Sequence, residues 1–434
     1  MRPFGTLLSL VALASAFSLR VQAQSPAPKA TGGTSLRAQV ADLFSFGECG
    51  EALCLKVNAA VHGLHYSPSV QSATGSLINF FTDAIGNSVS NVPISSSSGG
   101  VTFSFRGGAP VKTSVSTGPI FAERAQTLGR GRFVGGANVT ALRFTTFRGL
   151  PMDQLEFNFA HQNVGSPIFG NPEFENDVIQ VRANVDLNLV ITTATLTYGL
   201  LDNLDVGLAI PLVRAGLSGT SVGSVIPFGP STPHFFGSEG APSLQATGAI
   251  SGSSVGLGDI AARVKLNVSE ARGLALFGDV RLPTGDADEL RGSGAVSFRA
   301  LGVYSKRYHD MTPHANLGVL VRTGASQKNA IVSTLGFDQL VSPSITFAAD
   351  VLAELQIGAN AVPLPSPVTI TAPFLRTIIP TNLPGSRDHL VRAAFGVKYT
   401  TRGGLTALLN ALVPLRSGSL QPAVAWTAGM EYAF

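Results

Sequence analysis

Ser344 to Ile357 reads SITFAADVLAELQI. Ile345, Phe347, Ala349, Val351, Ala353, Leu355 and Ile357 alternate with the positions that carry Thr346, Asp350, Glu354 and Gln356. Successive side chains of a strand point to opposite faces, so this is a strand with one apolar and one polar side. Gly258 to Val268 repeats the pattern, with Ile260, Ala262, Val264, Leu266 and Val268 opposite Asp259, Arg263, Lys265 and Asn267. Leu274 to Leu282 does so again, setting Asp279 and Arg281 against Leu274, Leu276, Val280 and Leu282. A half-exposed antiparallel sheet of a soluble protein also alternates, but its wet face usually carries more Lys and Glu.

Composition decides between the two settings. Only 13% of the 434 residues are charged, against the ~25% of ordinary globular domains, while 44% are hydrophobic. Mean hydropathy is +0.28. No apolar run reaches the ~18 residues of a membrane-spanning helix, which excludes a polytopic helical protein. Glycine is abundant without a period of three, so collagen is excluded, and plentiful Leu, Ile, Val and Phe exclude general disorder. What remains is an all-β transmembrane barrel, whose strands show one face to lipid. The net charge of +4, without Lys-rich runs, gives no reason to expect a nucleic-acid partner.

Connections alternate short and long. LLDN (200–203), SEAR (269–272), RYHD (307–310), DQLVSP (338–343) and TRGG (401–404) are tight. Between them stand long loops at about 214–255 and 358–387, and shorter ones at PTGDADELRGSG, RTGASQKN and PLRSGSLQ. This parity is expected of an outer-membrane barrel with periplasmic turns and longer extracellular loops. The last strand places Trp426, Ala428, Met430, Tyr432 and Phe434 on one face and ends on the aromatic residue. Trp426, Met430, Tyr432 and Phe434 thus resemble the C-terminal signal read by the barrel-insertion machinery of Gram-negative outer membranes, an expected partner beside the outer-membrane lipid. Tyr198, Tyr304, Tyr399 and Tyr432 all fall at short-turn ends, where an aromatic girdle is expected.

Thirteen alternating segments run from Arg132 to the end: 132–147, 154–163, 177–198, 203–213, 256–268, 273–283, 294–306, 312–322, 329–338, 344–357, 388–400, 403–414 and 421–434. Val101 to Arg106 supplies a fourteenth and makes the number even, with twelve strands as the alternative. Residues 1–23 read as a signal peptide, with Arg2, an apolar stretch from Leu7 to Phe17, and Val21-Gln22-Ala23 before the cut. Residues 24–35 are a linker. From 36 to 100 the spacing turns helical, with Leu36, Val40, Leu43 and Phe44, and then Leu77, Ile78, Phe81 and Ile85. This predicts a small N-terminal helical plug or cap, ahead of a barrel over 101–434. Cys49 and Cys54 are most simply a small disulfide loop in an exported protein.

YGLLDNLDVGLAIPLV (198–213), GLGDIAARVKL (256–266), DVRLPTGDADELRGSG (279–294), HANLGVLV (314–321) and the closing PLRSGSLQPAVAWTAGMEYAF together resemble an outer-membrane family. That family is labelled for the MetA pathway of phenol degradation, and the motifs cover roughly 180–434. The resemblance implies a transporter-like barrel channel for passive uptake of small hydrophobic or aromatic solutes. A structural or adhesive barrel, whose long loops bind a surface partner through Phe228, His234, Phe235, Phe236 and Phe374, is the alternative.

If the apolar faces meet lipid, the polar faces line the lumen. These positions are Arg182, Asp186, Asp259, Arg263, Lys265, Asp279, Arg281, Arg299, Asn316, Arg322, Asp350, Glu354, Arg392 and Lys398. Asp286, Asp288 and Glu289 cluster on one loop, but Leu290 and Arg291 stand where a calcium loop needs other residues, so no metal is expected. Seven scattered histidines give no reason to expect catalysis, and no cofactor is expected.

Overall fold

The computed structural model describes residues 34–46, 121–160, 177–228, 234–238, 240–324, 327–360, 364–370 and 374–433, with short pieces at 56–57, 81, 84–85, 103–106, 109–112 and 118–119. Twelve antiparallel strands close into a barrel of the outer-membrane type. In chain order they are β1 (Phe133–Phe147), β2 (Val178–Leu201), β3 (Leu204–Ile226), β4 (Ala261–Ser269), β5 (Leu274–Arg281) and β6 (Ser297–Ser305). There follow β7 (Met311–Arg322), β8 (Ala330–Ser342), β9 (Ile345–Gln356), β10 (Leu390–Thr400), β11 (Leu405–Pro414) and β12 (Leu420–Ala433). Each pairs with the next, and β12 returns to β1, with Thr427 opposite Thr140. Closure leaves no free edge in the ring, the condition a spanning sheet must meet in a solvent without hydrogen bonds.

The ring therefore has twelve strands, not fourteen. The segment expected at 154–163 forms Leu155–Ala160, which pairs with Val178–Ala183 at the top of β2, beyond the edge of β1. Phe103–Arg106 pairs with Ala109–Lys112 in a separate two-stranded sheet. Alternation reports a strand with one buried face. It does not say whether that strand lies within the lipid belt or above it, which is why these two were counted into the barrel.

The outer face over the belt is apolar. Leu208, Ile210 and Leu212 of β3, Leu276 of β5 and Leu317 and Val319 of β7 are exposed, as are Leu409 and Trp426 of β11 and β12. Their intervening neighbours turn inward and are buried or half-buried. No helix among the described residues is long and apolar enough to cross a membrane.

β2 and β3 are far longer than the belt needs. They contain 24 and 23 residues, against the ~9–11 that span a bilayer, so this hairpin projects beyond the lipid at the long-loop end. Gln245–Leu257 lies along the upper half of β3, from Ser224 to Leu212, before the chain bends at Gly258 into β4. Much of the stretch expected as a loop from 214 to 255 is thus strand. Its Gly- and Ser-rich sequence lacks an apolar outward row because the outside there is water.

Inside the projecting hairpin the chemistry inverts. Ile179, Val181, Ala183, Val185, Leu187 and Leu189 face in and are buried, while Arg182 and Asp186 face out. Onto this wall packs helix α1 (Leu36–Asp42), with Ser35 as its N-cap, accepting from the Ala38 amide at 3.2 Å. Leu36, Val40, Leu43, Phe44 and Phe46 of this segment are buried. Phe44 meets Phe157 and Phe159 edge-on with centroids 5.1 and 6.0 Å apart, and Phe81 meets Phe157 at 5.5 Å. The described part of the expected helical plug or cap thus packs against the inner wall at the long-loop end. Leu77, Ile78, Cys49, Cys54, Phe434 and residues 1–33 lie outside the described residues.

Candidate functional site

The lumen has three levels. At the short-turn end, residues 121–131 leave the wall and run inside it, just before β1 begins. Gly129 and Gly131, with φ of 88° and 76°, supply the left-handed turns that carry the segment into the strand. Five strands hold this segment. The Leu128 amide donates to Asp205 of β3 at 3.0 Å, and Asn267 of β4 donates to the Ala125 carbonyl at 2.7 Å. Ser305 of β6 accepts from the Ala125 amide at 2.9 Å. Asn316 of β7 accepts from the Glu123 amide at 2.7 Å and donates to the Glu123 carbonyl at 3.0 Å.

Charges complete the grip. Arg124 reaches Asp338 of β8 at 2.7 Å, and both are buried. Asp338 lies 3.6 Å from His314 Nδ1, and His314 Nε2 lies 2.6 Å from Asp350. Lys265 stands between Asp205, at 3.7 Å, and Glu123, at 4.0 Å. Across the lumen Lys398 pairs with Glu431 at 3.2 Å, and Thr140 bonds Thr427 at 2.9 Å.

Above this level lies a cavity of about 110 Å³. Of the residues expected in the lumen, Asp259, Asp279, Arg281, Arg299, Arg322, Glu354 and Arg392 line it. Arg299 forms a two-nitrogen contact with Asp279, and Arg322 bonds Glu354 at 2.7 Å. Arg263 is buried one strand away, opposite Asp279. The third level is the apolar plug around α1.

Lys265, Asn316, Asp350 and Lys398 belong to the lower level. Arg182 and Asp186 do not reach the lumen. They form outward pairs above the belt, Arg182 with Glu156 at 3.6 Å and Asp186 with Arg143 at 2.8 Å. The polar face of a strand marks the lumen only where the other face meets lipid. Higher up, water takes the outside and the plug takes the inside.

Tyr198, Tyr304, Tyr399 and Tyr432 project outward at the short-turn end, where Tyr198 stacks on Phe133 with centroids 4.4 Å apart. Trp426, Met430 and Tyr432 share the outward face of β12. Asp286 accepts from the amides of Asp288 and Glu289 and pairs with Arg291 at 3.2 Å, as an ordinary turn would. The loop aromatics are engaged within the molecule. Phe228 meets Phe374 at 5.3 Å under Arg376, Phe236 packs on Phe46, and buried His234 bonds Asp177 at 2.7 Å.

Glu123, Arg124, Asp205, Asp338 and His314 were not singled out from sequence as site residues. Asp205, His314 and Asp338 each stand on the polar side of an alternating strand and carry the signal that found Asp350. Glu123 and Arg124 carry none, since 121–131 has no period.

No protein-family model matches the chain, and no curated protein matches it. Among solved structures it is similar to an outer membrane channel from Pseudomonas putida F1, at 11% identity and TM-score 0.41, over 71% of this chain and 98% of that one. A Pseudomonas aeruginosa FadL homologue shares 12% identity at TM-score 0.31, over 70% and 89% of the two chains. The P. putida toluene transporter TodX shares 10% identity at TM-score 0.31, over 70% and 89%.

Proposed function

We propose that this barrel is an outer-membrane channel, closed at rest, for passive uptake of small hydrophobic or aromatic molecules. In this reading the short-turn end faces the periplasm and the long loops face outside, and the N-terminal 23 residues direct export. The tyrosines at the short turns anchor the lower interface, and Trp426, Met430, Tyr432 and Phe434 present the barrel to the insertion machinery. Substrate class follows the motif resemblance to the MetA-pathway family. The chemistry is passage, with no bond made or broken.

One observation carries the reading. The lower lumen is occupied by a separate stretch of main chain, held through polar contacts to β3, β4, β6, β7 and β8, rather than filled by apolar wall side chains. A barrel serving only as a wall or tether is stabilised more simply by apolar packing, because buried ion pairs add little net stability. Polar contacts that can be exchanged for water suit a segment that moves. Gram-negative cells producing the chain should take up a radiolabelled aromatic hydrocarbon faster than cells without it. Equal uptake at matched outer-membrane levels would reject the channel.

A further inference from the structure

The outward face of the projecting hairpin changes character along every strand. On β3 the exposed Leu208, Ile210 and Leu212 are followed two positions on by Arg214. The outward row of β1 runs Ala137, Val139, Ala141 and then Arg143. Val190 of β2 gives way to Asn188, and Val255 of the strand beyond β3 gives way to Ser253. Farther from the belt Asn184, Asn188, Ser218, Thr220, Ser251 and Ser253 stand outward, exposed or half-exposed, on three adjacent strands. The order is a lipid-facing apolar row, then guanidinium, then uncharged amide and hydroxyl.

The arginines differ in what holds them. Arg143, its side chain 69% exposed, binds Asp186 through Nε and Nη2 at 2.8 Å each, and Arg182, higher up, lies 3.6 Å from Glu156. Arg214 makes no hydrogen bond or ion pair among the described residues. Its cross-strand neighbours are Val190 and Val255, both exposed. An arginine so placed lays its stem along apolar surface and sets its head at the polar boundary. What a membrane offers at that depth is phosphate, whose oxygens match the planar fork with parallel hydrogen bonds. Arg143 faces Asn188 and Arg214 faces Val190 across opposite edges of β2, so about 12 Å separates their Cα atoms and one headgroup can reach both.

We propose that the outward face of β1, β2, β3 and Gln245–Leu257 docks a phosphorylated glycolipid of the outer leaflet. Its acyl chains lie on the leucine and valine rows, a phosphate meets Arg214 beside Arg143, and its sugars follow the amide and hydroxyl rows, which supply both donors and acceptors. The inference goes beyond the channel reading and rests on it only for the orientation that puts the long loops outside. A glycerophospholipid brings a phosphate but nothing for the amide and hydroxyl rows, and a neutral sugar brings nothing for the arginines.

Three ligands titrated into the purified full chain in detergent, and read by thermophoresis of the labelled protein, test it: lipopolysaccharide with its core sugars, the same material after phosphatase treatment, and phosphatidylglycerol. The phosphorylated glycolipid should bind at least about fivefold more tightly than either of the others, the effect of roughly one arginine at an anionic headgroup. Arg214→Gln breaks no contact within the chain, and should lower that affinity about fivefold while leaving the dephosphorylated form unchanged. Heat-modifiable migration reports whether the variant folds, and the ligand series on the wild type stands without it. Phosphatidylglycerol binding as tightly as the glycolipid, no effect of dephosphorylation, or an unchanged affinity in the folded variant would each overturn the proposal. Binding in detergent needs no passage through the barrel. Glycolipid binding without hydrocarbon uptake by cells would therefore reject the channel and keep this surface, and uptake without glycolipid binding would do the reverse.

Discussion

Arg124 and Asp338 stand 214 positions apart in the chain and meet at 2.7 Å in the lumen, with 2% and 0% of their side chains exposed. The contact ties a segment outside the sheet to the wall of β8. Removing one partner of such a pair strands the other as a buried charge and costs about 3–5 kcal/mol, whereas replacing both by apolar groups is often neutral. Arg124→Ala should therefore populate a released segment and speed hydrogen exchange of the Ala125 and Leu128 amides, which donate to wall side chains. Arg124→Met combined with Asp338→Leu should restore the slow exchange. Exchange in the single variant as slow as in the wild type would show that the pair does not hold the segment.

The assigned orientation has a direct chemical readout. Leu375, 74% exposed, lies on a long loop, and Arg402 on a short turn. In intact cells Leu375→Cys should react with a membrane-impermeant thiol reagent and Arg402→Cys should not. The opposite labelling would invert the molecule.

Tyr432 is outward and 38% exposed at the end of β12, one residue before the last described position. Tyr432→Ser should lower the outer-membrane yield and leave unfolded chain in the periplasm, because it removes an aromatic from the assembly face. Normal yield, measured as the heat-modifiable fraction, would detach assembly from this residue.

His389 reports on the junction between β9 and β10. Its Nδ1 accepts from the Gln356 amide at 3.0 Å. Partial burial, and then the Arg416 and Arg387 guanidiniums, hold its pKa below 6.5, against the opposing effect of Asp388. The folded chain thus binds fewer protons at this site than the unfolded one. The bond stabilises the junction above pH 6.5, and its contribution is lost as pH falls through the folded value. A histidine ring titration by NMR should place the midpoint below 6.5, with faster exchange of the Gln356 amide beneath it. A midpoint above that value would contradict the arrangement.

What the sequence carried, and what it did not, follows from what alternation encodes. The rows Ile345 to Ile357 and Leu274 to Leu282 announced strands with a lipid face, since apolar residues at every second position have no other use in so charge-poor a chain. Alternation on these and neighbouring strands also assigned Asp279, Arg299, Arg322, Glu354 and Arg392 to the lumen, where they line one cavity. Height along the barrel was not legible, so Leu155–Ala160 entered the strand count and Arg182 and Asp186 entered the lumen. The lumen segment was not legible either. Glu123 and Arg124 sit in an aperiodic stretch whose partners lie on strands up to 214 residues away, and local pattern holds no trace of such contacts. The plug helix was visible in Leu36, Val40, Leu43 and Phe44, but its place at the long-loop end depends on the inverted faces of β2 and β3.

Occlusion at two levels makes a prediction that neither level makes alone. At the long-loop end Gly223 of β3 lies against the plug, where an added Cβ would come within 2.7 Å of the Phe46 ring and 3.1 Å of Phe236. Neither ring can yield easily, because the two stack edge-on with centroids 5.3 Å apart inside the projecting hairpin. Gly223→Val should therefore loosen the plug while residues 121–131 still block the short-turn end. Arg124→Ala should free that end while the plug remains seated. Each single variant should leave cells nearly as resistant to large antibiotics as the wild type, and the double variant should make them sensitive, as two closures in series require. Full sensitivity from Gly223→Val alone would show that the lower segment is no barrier. Resistance of the double variant, at matched and heat-modifiable barrel levels, would mean that the wall side chains fill the lumen by themselves and that neither segment gates it.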